Sequence, residues 1–174
     1  MSGVEFSRPF RIDTLGDGDR AVEIAAEPAE RAALVERFGL VSLDALSATA
    51  TLRREGEQVF AEGRIRADVA QACVATGEPV PSTVDEAFTL RFVPEGEGGE
   101  EEIELDAEDC DVVDYSGGSI DLGEAVAETM MLSLDPFPRS EGADAALREA
   151  GVLSEDEVVS GPFAALKALK DKLG

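Results

Sequence analysis

The sequence predicts an α+β fold: a mostly antiparallel β-sheet with one face covered by helices, and an amphipathic helix at the C-terminal end. Two observations lead to this prediction. Within residues 43–92, three segments alternate apolar and polar side chains with a period of two, as strands with a single buried face do. Other segments repeat apolar residues at helical spacing between recognisable start and stop signals.

The chain begins with a predicted short strand and a helix. Residues 6–12 alternate apolar and polar side chains, and Pro9 favours an edge position or a strand start. A helix is predicted over Pro28–Phe38, because proline suits a first helical turn and Gly39 suits the position just past the end.

The sheet itself is predicted from a hairpin and a third strand. The hairpin turn is placed at Glu55-Gly56, between a strand that starts near Leu43 and the very regular alternation of residues 59–69. Gly77-Glu78-Pro79 then interrupts the chain before a third alternating strand that ends near residue 92. The polar outer positions of these strands indicate a sheet with one covered face.

A second helix is predicted to begin after Asp121 and to cover the apolar face of the sheet. Glu124 stands three residues after Asp121, which matches a capping-box start. Apolar residues recur at helical spacing up to Ser133, and Pro136 and Pro138 then stop the helix.

We divide the chain into a domain over residues 1–139, an acidic linker over 140–160 with a short helix near 144–150, and a C-terminal amphipathic helix over 161–174. The apolar side chains of that last helix are Phe163, Leu166, Leu169 and Leu173. It either docks on the domain, which we favour, or serves as a free partner-binding peptide.

The charge of the chain is strongly acidic, with a formal net value of −23. Phosphates repel such a molecule unless its few basic groups cluster, so basic proteins are the natural partners. Residues 93–137 hold fifteen acids and no Lys or Arg. We name as the predicted acidic surface, for contact with a basic partner, Glu100, Glu101, Glu102, Glu104, Asp106, Glu108, Asp109, Asp111 and Asp114. The alternative is a solvated loop whose charge only maintains solubility.

One basic patch is predicted, from Arg53 and Arg54 beside the hairpin turn and Arg64 and Arg66 on the polar strand face. These four side chains are the candidates for contact with RNA. The alternative is that they form ion pairs across the sheet face.

The composition argues against the common catalytic and metal sites. Histidine is absent, which removes every Ser-His or Cys-His pair. Cys73 and Cys110 are expected to be free thiols, and a lone Cys73 at a strand end is expected to act as a small buried hydrophobe. No phosphate-binding glycine loop, zinc spacing or EF-hand loop occurs, and chance carboxylate pairs are weak evidence for a hydrolase. We therefore predict no catalytic residue, no metal and no cofactor.

Neither a membrane span nor a signal peptide is visible, so a cytoplasmic location is expected. The sequence leaves the oligomeric state open.

The order of elements resembles the YceD family, which is named for accumulation of large-subunit ribosomal RNA. The resemblance covers most of the chain and includes the strand "FTLRFVP". It is most specific at "IDLGEAVAETMMLSLDPFPR" and "PFAALKALK". It implies a role in processing or stability of the large-subunit (23S) rRNA precursor and no known enzymatic activity. Many members have a Cys-x-x-Cys at the end of the strand. Here Cys73 and Thr76 occupy those positions, so a metal or redox role of the pair is not expected to carry over.

Our hypothesis is therefore a non-enzymatic ribosome-biogenesis factor that binds a basic ribosomal protein or an assembly partner through the acidic surface. The alternative is direct binding of precursor rRNA through the arginine patch. A hydrolase that uses carboxylates is the third hypothesis, and only chance pairs of acids support it.

Overall fold

Five strands form the main sheet of the protein, in a computed structural model that describes residues 5–96 and 110–152. The strands are β1 (Pro9–Arg11), β2 (Arg20–Ala25), β3 (Ser42–Glu55), β4 (Gln58–Ala72), β5 (Pro79–Pro94), β6 (Asp111–Tyr115) and β7 (Ser119–Asp121). The helices are α1 (Pro28–Phe38), α2 (Leu122–Ser133) and α3 (Ala143–Glu149), with one 3-10 turn at Ile12–Thr14.

The main sheet has the order β2-β3-β4-β5-β6, and β1 and β7 form a separate two-stranded sheet. All pairs are antiparallel except β5 and β6, which run parallel. The β3–β4 hairpin turns where it was predicted, with Glu55 opposite Gln58 and a positive φ of 63° at Gly56. The predicted α+β class with a mostly antiparallel sheet is confirmed.

The period-two pattern decides which side chains enter the core. On β3 and β4 the inward positions are nearly inaccessible: Leu52 is 1% exposed and Ile65 is 1% exposed. Helix α2 packs on β4 and β5 with Leu122, Val126 and Met130, all fully buried, and α1 packs on β3. The helices therefore cover one face of the sheet, as predicted.

Both main helices begin at the residues that the capping signals indicated. The main-chain N–H of Glu27 donates to Glu30 at 2.7 Å, and Gly39 ends α1 in the left-handed conformation. At α2, the carboxylate of Asp121 accepts from the N–H of Glu124 at 3.2 Å.

The sequence prediction missed strands β2, β6 and β7. Strand β6 has only five residues, which is too short for a clear alternation. The predicted first strand is three residues long and pairs with β7 outside the main sheet. Helix α3 is the short helix that was predicted near 144–150 within the linker segment, while the predicted C-terminal helix lies outside the described residues. The division into domain, linker and helix stays a prediction.

No helix within the described part of the chain combines the length and the apolar character needed to cross a bilayer.

Candidate functional site

The outer face of the sheet carries Arg64 and Arg66, and both side chains turn to the same carboxylate. Arg64 Nε donates to Asp85 on the neighbouring strand, and Arg66 Nε lies 3.6 Å from Asp85 Oδ1. The hydrogen bond from Arg64 is the main reason that the pKa of Asp85 is lowered and that of Arg64 is raised. Part of the positive charge at this position is therefore compensated within the sheet.

The other two arginines of the predicted patch lie on opposite faces. Arg53 is on the outer face, 3.0 Å from Glu55 and with its guanidinium 5.5 Å from the centre of the Phe60 ring. Arg54, the next residue, points to the inner side, where Nη1 donates to the carbonyl of Ile12 at 3.1 Å. The structure thus places three of the four arginines on one face and separates Arg54 from them.

Strand register adds two residues to the outer face that the sequence analysis did not single out. Arg53 is opposite Phe60, Phe60 is opposite Arg91, and Arg91 is opposite Val112. Directly opposed residues share a face, so one aromatic ring lies between two guanidinium-bearing side chains. The signal for this row is the pairing of the strands, which the sequence alone did not specify.

The predicted acidic surface begins at strand β6. Of its nine residues, Asp111 and Asp114 are described, and the other seven lie within 97–109, outside the described residues. Both carboxylates are exposed on β6, which is the last strand at one side of the five-stranded sheet. In the described ranges, neither of them lies within ion-pair distance of an arginine.

Several arginines instead pair with acids elsewhere. Arg8 binds Glu30 at 2.7 Å, and Arg37 binds Glu124 at 2.7 Å and Glu5 at 2.9 Å. These pairs join separate segments of the chain.

A polar cluster surrounds Cys73 at the end of β4. The sulfur accepts from the main-chain N–H of Ser140 at 3.3 Å and lies 3.5 Å from the Ser140 hydroxyl. The hydroxyls of Ser140 and Thr76 also lie 3.0 Å and 3.1 Å from Oε2 of Glu78. Since the Ser140 hydroxyl has one proton, it can donate to the sulfur or to Glu78, while the N–H always points to the sulfur.

These contacts change the acidity of the thiol. Hydrogen bonds from the side chain and main chain of Ser140, and then from Thr76, lower the pKa of Cys73 to about 6 against the opposing effect of burial. Burial raises the pKa of the other free thiol, Cys110. Cys73 is 3% exposed, as expected of a small buried residue, but its role as a hydrogen-bond acceptor was not predicted. Ser140 was missed because it is 67 residues away in sequence.

The described ranges contain no group of three His, Cys, Asp or Glu side chains placed to hold a metal ion. Thr76, where the resemblance led us to expect a second cysteine, contributes its hydroxyl to the cluster around Cys73.

One open cleft of about 500 Å³ bears on the hydrolase hypothesis, because Asp13 and Glu57 both line it. Asp13 is paired with Arg11 at 2.5 Å, and this hydrogen bond lowers the pKa of the carboxyl group. A general acid in glycoside hydrolysis needs the opposite shift. The cleft therefore gives that hypothesis no support.

Comparison with known proteins gives one family. The family described as "Large ribosomal RNA subunit accumulation protein YceD" matches residues 61–170, which is more than half of the chain. The matched segment runs from β4 to beyond α3 and includes Cys73 and Ser140. No curated protein and no solved structure matches the chain.

Proposed function

The chain belongs to the YceD family of large ribosomal RNA subunit accumulation proteins, and on this premise we propose that it is a cytoplasmic ribosome-biogenesis factor that binds a partner and catalyses no reaction. The family name implies a role in accumulation of large-subunit rRNA, and the family is not a known enzyme family. The partner in our proposal is a basic ribosomal protein or a basic assembly factor.

The observation that supports this proposal is the distribution of charge. Asp111 and Asp114 are exposed on β6 without an arginine partner among the described residues, whereas Arg8, Arg37 and Arg64 are paired with acids elsewhere. Residues 93–137 add no basic side chain. Within the described ranges, this side of the sheet therefore presents negative charge that no arginine of the chain compensates, and a basic partner could supply the missing cations.

A basic partner would gain from such a surface mainly in encounter rate and specificity. Complementary charge steers association, and the attraction between exposed groups falls as salt screens it over about 10 Å at 0.1 M. Binding through this surface should therefore weaken steeply as the salt concentration rises.

The test is a titration of the labelled protein with purified basic large-subunit ribosomal proteins, at low and at high salt. A variant in which all nine carboxylates of the predicted acidic surface become Gln or Asn should bind at least about tenfold more weakly at low salt, since each exposed charge pair contributes roughly 0.2–1 kcal/mol. Asp111→Asn with Asp114→Asn should produce a part of that loss.

The matched control is Asp17→Asn with Asp19→Asn, which removes the same charge from an exposed loop before β2. We expect it to bind as the unchanged protein does. An equal loss in both double variants would show that net charge alone matters. No binding of any basic ribosomal protein at low salt would rule out the proposal.

A second candidate is direct binding of precursor rRNA, which the row Arg53, Phe60 and Arg91 favours. Stacking of bases on an aromatic ring beside guanidinium groups is a common mode of binding single-stranded RNA. Phe60→Ala should then reduce RNA affinity, and the logarithm of the affinity should fall linearly with the logarithm of the salt concentration. A gel shift with no retarded RNA at low salt would exclude this candidate.

A further inference from the structure

Three exposed apolar side chains lie around the end of α2. Leu132 in its last turn is 83% exposed, Phe137 in the following turn is 69% exposed, and Val74 is 55% exposed. The N–H of Val74 donates to the carbonyl of Pro138 at 2.9 Å, which brings Val74 beside Phe137. We call Val74, Leu132 and Phe137 the apolar patch.

The apolar patch is separate from the surface by which α2 packs on the sheet. The inward side of the helix is fully occupied, with Val126 and Met130 at 0% exposure. Single exposed apolar residues are common and need no explanation, but a group of large ones indicates a surface that another element covers.

The described chain ends at the same part of the molecule. Helix α3 follows directly from the apolar patch and is held there by a hydrogen bond from Ala143 N to the carbonyl of Ser140 at 3.1 Å and by the Arg139–Asp144 pair at 3.4 Å. Ten residues, 153–162, then lead to Phe163. At no more than about 3.6 Å per residue these ten residues can span up to roughly 36 Å.

The residues that follow have the chemistry to cover this surface. Phe163, Leu166 and Leu169 recur at helical spacing, followed by Leu173. The segment also holds all three lysines of the chain, Lys167, Lys170 and Lys172. Two acids near the apolar patch could pair with these lysines. Asp135 and Glu141 are exposed and have no ion-pair partner in the described ranges.

We propose that residues 161–173 fold back as an amphipathic helix on the apolar patch of the same chain, with their lysines against the acids beside it. The helix would bury Leu132 and Phe137, and it would join the end of the chain to the surface where α2, α3 and the β4–β5 connection meet. This contact does not depend on the acidic surface of β6, so it can hold whether or not the proposed partner binding does.

The experiment uses the full chain with Phe163→Trp, because the natural sequence has no tryptophan. We expect emission shifted to the blue relative to the same tryptophan in the unfolded protein in urea, and unchanged on dilution. Adding Leu132→Ser and Phe137→Ser should move the emission back to that of an exposed tryptophan. Both residues are exposed, so the fold should be kept, which circular dichroism can check.

The matched control adds Val41→Ser and Val112→Ser, which are 44% and 51% exposed at other places on the surface. It should leave the blue shift intact. An emission maximum of a fully exposed tryptophan in the folded protein would overturn the proposal. So would a blue shift that the patch variant does not reduce, or one that disappears on dilution together with a dimer in sedimentation, since the second copy would then be the occupant.

Discussion

The sulfur of Cys73 accepts a hydrogen bond from the main-chain N–H of Ser140 at 3.3 Å, across 67 residues of sequence. This contact joins the end of β4 to the segment between α2 and α3. It also stabilises the thiolate over the thiol, because an N–H donor interacts more strongly with the charged form.

The first prediction concerns the titration of Cys73. In a Cys110→Ser background, thiolate absorbance near 240 nm should appear with a midpoint near the lowered pKa of about 6. Ser140→Ala removes the hydroxyl and keeps the N–H, so the midpoint should rise without reaching the ordinary value. In a Cys73→Ser background, Cys110 should instead titrate above the ordinary thiol value, because burial raises its pKa. A midpoint for Cys73 at or above about 8.5, the ordinary value, would contradict the prediction.

The same shift makes stability depend on pH. The folded pKa of Cys73 is depressed below its unfolded value, so the stabilisation is fully present above the unfolded pKa and is lost as pH falls through about 6. Urea unfolding of the protein and of Cys73→Ser at pH 6 and pH 8 should show a larger difference between the two proteins at the higher pH. Equal differences would indicate an unperturbed thiol.

The second prediction concerns Arg37, whose guanidinium binds Glu124 at 2.7 Å and Glu5 at 2.9 Å. Arg37→Gln leaves two half-buried carboxylates without their cation and should lower the free energy of unfolding by about 1–2 kcal/mol. Arg11→Gln breaks the exposed pair with Asp13 and should leave the free energy of unfolding nearly unchanged, because solvent screens that pair. High salt should shrink the effect of Arg37→Gln, and an effect no larger than that of the control would contradict the prediction.

The third prediction concerns Gly63, which lies opposite Ala50 and Phe88 in the sheet. A Cβ at this position would meet the carbonyl oxygen of Thr49 at 2.0 Å and the ring of Phe88 at 2.9 Å. Gly63→Ala should therefore cost roughly 1–3 kcal/mol in denaturant unfolding, because backbone must shift to relieve the overlap. Gly16→Ala is the control, since nothing lies within 4 Å of its added Cβ. Similar free energies of unfolding for the two variants would contradict the prediction, because they would show that the neighbouring strands can move apart at Gly63 without cost.

The fourth prediction concerns Asp121, which caps α2 and also accepts the N–H of Arg8 at 2.8 Å. Asp121→Ala loses these two acceptor contacts and a third, from the Ser7 hydroxyl at 2.5 Å, and should lower the free energy of unfolding by about 2–3 kcal/mol. Asp121→Asn keeps an acceptor oxygen and should cost less than half of that. Thermal unfolding of both variants would test this, and equal losses would mean that the charge matters more than the acceptor.

Much of the fold could be predicted because it is encoded over short distances along the chain. Glu27 and Gly39 bound α1 through contacts with residues at most four positions away, and the β3–β4 turn at Gly56 follows from a local preference for positive φ. Strand β6 escaped prediction because five residues are too few for a clear alternation.

The candidate sites were less predictable, because their geometry depends on which strands pair and on which face each residue lies. Adjacent residues of a strand point to opposite faces, so Arg53 and Arg54 separate although they are neighbours in sequence. Phe60 lies between Arg53 and Arg91 only because of the register in which three strands pair, which the sequence did not specify.

The sequence alone determined the period-two strands, the ends of α1 and α2, and the excess of acid over base, because each depends on composition or on residues within one turn of each other. The pairing of Asp85 with Arg64 and Arg66, and the contact of Ser140 with Cys73, depend instead on how the folded chain packs. Hydrogen bonds and ion pairs act over a few ångströms, so residues distant in sequence become partners only after the packed core has set where each segment of the chain lies.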